Sequence, residues 1–233
     1  MLILALDTTT RGGSVAVTDD DRVLAVLAGD ESRTHGERLP AEIASALDRA
    51  DVMREELDLL AVAAGPGGFT GLRIGLAAMQ GLAMTLNKPV AGVSTLDALA
   101  AQVAAGQASL IVPWMDANRG DVFAALVDGA SKHTLEAPVA EHPASVLERW
   151  RAHLTNRTAL FIGDAVTRDA ELIARAGDGR WTIKTPDALA PQVARLGREL
   201  ARRGQAGAPH ALTPIYVRRP DAEIERDRRG ANH

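Results

Sequence analysis

Apolar and polar positions along this chain alternate between strand-like runs and a few helical stretches. Met1 to Leu6 reads as a buried strand, closed by the turn Asp7-Thr8-Thr9-Thr10-Arg11-Gly12-Gly13. Ser14 to Val17 and Val23 to Leu27 follow as strands joined through the acidic turn Asp19-Asp20-Asp21. The period then changes: Leu39, Ile43 and Leu47 recur at i, i+4, i+8 and predict an amphipathic helix over Glu37 to Ala50. Leu57 to Ala64 is a continuous apolar strand, and the glycine-rich loop Gly65-Pro66-Gly67-Gly68-Phe69-Thr70-Gly71 leads from it into a helix over Leu72 to Leu86. Thr70 is the expected N-cap. Asn87-Lys88-Pro89 stops that helix, Val90 to Val93 is a short strand, and Ser94 caps a helix from Thr95 to Ala105.

After Gly106-Gln107-Ala108-Ser109 the pattern starts again. Leu110 to Asp116 is an apolar strand ending in an acid, Ala117-Asn118-Arg119-Gly120 turns, and Asp121 to Val127 returns. The first half has the same layout: Asp7, then Arg11-Gly12, then Ser14-Val15-Ala16. Two such openings point to a duplicated architecture with lobes over 1–106 and 107–218. The second lobe adds a helix near Pro143 to His153, a strand Ala159 to Gly163, a helix around Thr167 to Ala176 and a long helix from Asp187 to Arg203. Leu212 to Arg218 is extended, and its proline places it at an edge or on the surface. Residues 219–233, dense in mixed charge, read as a mobile tail.

The helix over Leu72 to Leu86 has almost no charge. Arg73, Gln80 and Asn87, seven apart, form one polar stripe along it. Leu72, Leu76, Met79, Ala83 and Leu86 make a bulky face; Ile74, Ala78, Gly81 and Thr85 make a flatter one. A helix apolar nearly all round is buried on more than one side. Either it is central within its own domain, or one face packs on its sheet while the other meets a second protein. The small-residue face favours the second reading.

Composition removes several chemistries. The chain has no cysteine, so disulfides, thiolate nucleophiles and thiolate metal sites are out. His35, His133, His142, His153, His210 and His233 are scattered, with no pair at i, i+4, so no transition-metal site is expected. A net charge of −4 gives no basic field for nucleic acid. No membrane-length apolar run and no leader are evident, which makes the cytoplasm the expected compartment. No GxSxG elbow is present, and no Lys-Ser/Thr pair turns the glycine loop into a Walker A loop. The loop can cradle an anion on its backbone N–H groups or simply turn tightly so that its helix packs closely; the sequence favours neither.

Two lobes that each open on an acid-bearing hairpin are the layout of the actin-like (ASKHA) α/β fold, each lobe a mixed sheet flanked by helices. Asp7 with Thr8 and Thr9, facing Asp116, is then a candidate vestigial nucleotide site in which weak binding of ATP or ADP with Mg²⁺ is conceivable. The plain alternative is that both acids cap their turns. Gly163-Asp164 is the one hint of an adenosine pocket.

Gly65-Pro66-Gly67-Gly68-Phe69-Thr70-Gly71-Leu72-Arg73-Ile74-Gly75 closely resembles the GPGSFTGLRIG motif of the TsaB family. Leu4-Ala5-Leu6-Asp7-Thr8-Thr9, Thr34-His35, Glu37-Arg38-Leu39-Pro40, Val112-Pro113-Trp114-Met115-Asp116-Ala117 and Pro214-Ile215-Tyr216-Val217-Arg218 also fall where that family has similar segments. The resemblance runs from residue 2 to about 218 and implies an actin-like fold and a non-catalytic, cofactor-independent role. Such proteins pair with a catalytic homologue, TsaD, joined by the small ATPase TsaE, to place threonylcarbamoyl on the tRNA adenosine beside the anticodon. It further implies tRNA contact only through the complex and partner contacts on the two first-lobe helices, Leu39, Ile43, Leu47, Ile74, Ala78, Gly81 and Thr85 among them; the apolar helix over Leu72 to Leu86 itself predicts self-association when the chain is alone. Thr95 and Leu99 stand where TsaD carries its metal-binding histidines, and Gly68 replaces the family's usual serine. An actin-fold kinase or ATPase using Asp7 and Asp116 is the alternative; a metallopeptidase is disfavoured because no HxxxH is present.

Overall fold

The computed structural model describes residues 1–218, so the segment expected as a tail, 219–233, lies outside the described residues. Strands β1 (Leu2–Asp7), β2 (Ser14–Asp19) and β3 (Arg22–Ala28) form an antiparallel meander. Helix α1 (His35–Ala50) leads to β4 (Leu59–Gly65), α2 (Phe69–Leu86) leads to β5 (Val90–Ser94), and α3 (Thr95–Ala100) follows. Strands β4 and β5 add in parallel, giving the order β3-β2-β1-β4-β5. The second half repeats this plan. Strands β6 (Leu110–Asp116), β7 (Val122–Asp128) and β8 (Thr134–Glu141) make the meander; α4 (Pro143–Arg149), α5 (Arg151–Leu154), β9 (Ala159–Ile162), α6 (Ala170–Gly177) and β10 (Trp181–Lys184) complete it. Its order, β8-β7-β6-β9-β10, matches that of the first sheet strand for strand, with β9 and β10 parallel to β6. The duplication inferred from the Asp7 and Asp116 hairpins is therefore a duplication of topology.

Among the described residues, sequence pattern missed two strands, both at sheet edges. β8 carries Pro138 and is only partly buried, and β10 is four residues long. The helix expected to reach Ala105 stops at Ala100, and the one near Pro143 breaks at the buried Trp150 into two short pieces. Helix α2 starts at Phe69 with Gly68 as N-cap, so Thr70 lies inside it rather than capping it.

The layers follow from side-chain size. One face of the first sheet carries Leu4, Leu6, Val15, Val17, Leu60 and Val62, and α1 and α2 cover it with Leu39, Ala46, Leu72, Leu76 and Met79. The other face carries Ile3, Ala5, Ala16, Ala61, Ala63 and Ala91, facing a middle layer of α3 and α7 (Ala190–Arg202). The second sheet closes that layer with Ile111, Met115, Phe123 and Leu160, and its outer face packs Trp114, Leu126 and Phe161 against Val146, Trp150 and Ile173. Helix α7 follows the second sheet in the chain yet lies on the first. Alanines on the inner face of β4 and β5 permit this: a Cβ at Gly197 would sit 2.6 Å from the Ala61 Cβ.

The last described stretch forms a strap across the first lobe. Gly207 exchanges backbone hydrogen bonds with Val90 at 3.0 Å, and Ile215 N–H donates to the Ala64 carbonyl at 2.7 Å. The Gln80 side-chain amide donates to the carbonyls of Pro209 (3.0 Å) and Leu212 (3.1 Å). The polar stripe on α2 is thus the seat of this strap.

Two glycines on helices should respond oppositely to alanine. Gly197→Ala pushes a methyl group into Ala61 and is expected to lower stability by about 1–3 kcal/mol in urea denaturation. Gly81 on α2 has nothing within 4 Å of an added Cβ, so Gly81→Ala should raise stability by about 0.5–1 kcal/mol through helix propensity.

Candidate functional site

The first hairpin turn organises everything near it. The Asp7 carboxylate is buried and accepts from Thr9 N–H (2.8 Å) and Thr9 Oγ1 (2.5 Å) on Oδ1, and from Thr10 Oγ1 (2.6 Å) on Oδ2. Thr10 Oγ1 accepts in turn from Gly13 N–H at 3.2 Å. The glycine loop packs on this turn. Gly68 N–H donates to the Thr9 carbonyl at 3.1 Å, and a Cβ at Gly67 would come 2.5 Å from the Thr9 Cβ. Added Cβ atoms at Gly71 and Gly75 would press on the Thr8 carbonyl and hydroxyl oxygens. The Gly65–Pro66 peptide is cis, and Gly65, at φ 114°, lies against the Ile215 carbonyl. Close packing accounts for Gly65, Gly67, Gly71 and Gly75. Gly68 is exposed with room for a side chain, and Pro66 is buried.

Helix α1 is tied to the same turn. Arg38, 4% exposed, pairs with Glu42 at 2.6 Å and donates to the Gly12 carbonyl and to His35 Nδ1, the latter at 2.8 Å. With Nδ1 accepting from a guanidinium, the His35 proton belongs on Nε2, which faces the Thr10 carbonyl at 3.2 Å. Burial, and then the Arg38 charge, hold the His35 pKa below the usual value.

Across the cleft, Asp116 is exposed and is engaged through its Oδ1. Arg168 bonds its Oδ1 at 2.7 Å and grips Asp169 with two 2.9 Å bonds; Asp169 also accepts from Trp114 Nε1 at 2.8 Å. Asn118 N–H donates to Asp116 Oδ1 at 3.2 Å, the turn-capping role. Asp164 accepts from Asp116 N–H at 2.9 Å, and desolvation in the cleft, with Asp116 and Asp7 nearby, raises its pKa. A cleft of about 280 Å³ lies between the lobes, lined by Asp7, Thr10, Gly12, Asp164, Asp187 and Leu189. An actin-like fold implies a Mg²⁺-nucleotide here, and these residues do not fit one well: the Asp7 oxygens face three internal donors, and Asp116 pairs with Arg168, which it shares with Asp169. Among the described residues no cluster of three or more acids and histidines is arranged to hold a metal. Thr8 and Thr9 are buried, and Thr95 Oγ1 donates to Thr9 Oγ1 at 3.2 Å; Thr95 and Leu99 are wholly enclosed.

Exposure sorts the expected partner residues. Leu39 is 3% exposed and belongs to the core under α1, which corrects its place on a partner face: an amphipathic period marks an apolar face, and here the chain's own sheet covers it. Ile43 and Leu47 are partly buried against the same core. On α2, Ile74 and Ala78 are half-buried, while Gly81 and Thr85 are exposed. The solvent-facing line of α2 is Phe69, Arg73, Ala77, Gly81 and Thr85, with Met84 68% exposed beside it. On α1, Gly36, Pro40, Ala41 and Ala44 are exposed, and Gly36 lies next to Ile74. Sequence reasoning missed His35, Arg38, Arg168 and the strap residues as parts of these networks, because each acts through partners far along the chain.

Fold and cleft together define a two-lobed α/β protein of the actin-like class; a hexokinase of the ROK group from Thermus thermophilus shares the fold at a TM-score of 0.51 and 12% identity over 86% of this chain and all of that one. A family model described as "TsaD: tRNA N6-adenosine threonylcarbamoyltransferase" matches residues 27–225. The chain is 31% identical over 97% of its length, and 97% of the relative's, to the Bacillus subtilis "tRNA threonylcarbamoyladenosine biosynthesis protein TsaB". It superposes on YeaZ from Pseudomonas aeruginosa at a TM-score of 0.74 and 26% identity, covering 92% of this chain and 99% of that one. The chain belongs to the TsaB family, within the wider group that the TsaD model describes. Among the described residues no helix is long and apolar enough to cross a membrane.

The His35 geometry predicts an acid-side loss of stability. The unfolded chain takes up the His35 proton near pH 6.5, whereas the folded chain resists it until a lower pH. Stability from this residue is therefore full above about pH 6.5 and declines as pH falls through the folded pKa. His35→Gln should flatten that part of the stability–pH curve relative to wild type; parallel curves would show that the ring does not resist protonation.

Proposed function

We propose that this chain is a non-catalytic, cytoplasmic subunit of threonylcarbamoyladenosine formation on tRNA. It docks through α1 and α2 onto a TsaD-type catalytic paralogue and helps to seat a TsaE-type ATPase. The observation that carries this is the solvent-facing side of α2, where Arg73 is the one charge and Ala77, Gly81 and Thr85 make a small-residue stretch, beside the small exposed residues of α1. Burying such a surface against a second helix pair is favourable and requires little desolvation of polar groups. Kinship with proteins named for threonylcarbamoyladenosine biosynthesis supplies the pathway, and the TsaD model match supports pairing of like with like. The reading that it lacks catalytic equipment is supported by Asp7 and Asp116 being engaged by internal donors and by Thr95 and Leu99, which offer no metal ligand where the family resemblance puts the TsaD histidines. The chain needs no cofactor of its own; nucleotide and Mg²⁺ bind it weakly at most, and tRNA meets it only within the complex. Without its partner, the same face drives self-association.

Co-purification with a tagged TsaD homologue from the same organism tests this. Wild type should form a stable pair and show no threonylcarbamoyl transfer on its own. Gly81→Arg, on an exposed helical position that tolerates bulk, should weaken pairing about a hundredfold or more while the unfolding temperature stays within a few degrees of wild type. Transfer by the chain alone, or normal pairing by the variant, contradicts the proposal.

A further inference from the structure

The chain has only three phenylalanines and a single tyrosine, yet it sets that tyrosine and one phenylalanine side by side in solvent. Phe69 at the start of α2 is 41% exposed and Tyr216 on the strap is 40% exposed; their rings stack at 6.3 Å between centroids and 24° between planes. The Arg73 guanidinium lies 4.0 Å from the Phe69 ring centroid, with Nε and Nη2 each 3.4 Å from the Tyr216 hydroxyl. Ile215, 39% exposed, extends the same patch. Among the described residues no carboxylate pairs with Arg73. An exposed cation–π pair adds only about 0.5–1 kcal/mol to a fold, so this cluster is poorly explained as a stabilising device.

We propose that Phe69, Arg73, Ile215 and Tyr216 form a second anchor of the pairing interface, which receives a carboxylate flanked by apolar side chains on the TsaD-type paralogue. This inference rests on the pairing reading given above. Three observations favour a protein carboxylate as the occupant. Phe69 and Arg73 are the first two positions of the exposed line that continues through Ala77, Gly81 and Thr85, so the patch is contiguous with the small-residue face. Aromatic and arginine side chains in one desolvatable cluster are the composition of interface hot spots, and the aliphatic Ile215 suits a protein surface better than a nucleobase. Held over the Phe69 ring and against the Tyr216 hydroxyl, and with no carboxylate partner among the described residues, the Arg73 guanidinium suits a planar anion. Because the TsaD family model spans α1, α2 and the strap alike, both members of the pair present the same elements, as a near-twofold contact requires.

The strap also gives the anchor a route to the second lobe. Two residues beyond Tyr216, Arg218 bonds Asp121 at 2.8 Å and the Ala117 carbonyl at 3.0 Å, in the β6–β7 turn beside Asp116. A partner seated on Tyr216 would therefore hold the strap that spans the two lobes.

The test measures affinity of Arg73→Ala, Tyr216→Ala, Tyr216→Phe and Gly81→Arg for the TsaD homologue at low and high salt, with thermal unfolding as the folding control. Arg73→Ala and Tyr216→Ala should each weaken pairing about tenfold or more. Arg73→Ala should also flatten the salt dependence, while Tyr216→Phe, which keeps the ring, should lose less. If both alanine variants pair like wild type while Gly81→Arg does not, the anchor is refuted and the pairing reading stands; if all pair normally, both fall. Normal pairing with loss of tRNA binding by the assembled complex would make the cluster a base-stacking shelf and overturn the protein assignment.

Discussion

Close approach between α2 and the Asp7–Thr9 turn is the constraint on which the rest of the structure depends. Gly67, Gly71 and Gly75 present no side chain to Thr8 and Thr9, so the helix can rest directly on the turn. That contact fixes the direction of α2 across the first sheet. Its bulky residues Leu72, Leu76 and Met79 then bury against Leu4, Leu6 and Val62, and the small ones are left facing out. A motif that looks like a phosphate loop is here a packing device whose product is a helix surface.

The same principle shapes the other side of the sheet. Alanines on the inner face of β1, β2, β4 and β5, with Gly197 on α7, let a helix from the second half of the chain settle closely on the first sheet. Sheets separated in sequence thereby share one middle layer, and the cleft between them has walls from both halves. Within that cleft the two hairpin acids are held by neighbours: Asp7 by the threonines of its own turn, Asp116 by Arg168. Both hairpin acids thus serve internal structure.

Much of this was legible in the chain. The central strands are unbroken apolar runs, the two hairpins announce the duplication, and the charge-poor helix stands out by composition. What sequence withheld depended on distant partners. The stripe Arg73, Gln80, Asn87 was visible, but its meaning lay 129 residues away, where Gln80 meets the Pro209 carbonyl. Leu39 showed the right periodicity, but periodicity does not say whether a sheet or a neighbour covers the face. Thr70 is a good capping residue in the abstract, and the glycine approach to Thr9 moved the helix start to Phe69. Edge strands β8 and β10 were hidden by Pro138 and by brevity.

Hydrogen–deuterium exchange on the paired proteins tests the central claim most directly. On adding the TsaD homologue, amides over Phe69–Leu86 and His35–Ala50 should slow together, while the outer helices of the second sheet, Pro143–Leu154 and Ala170–Gly177, exchange as before. Protection centred on those outer helices, with α1 and α2 unchanged, would contradict the account.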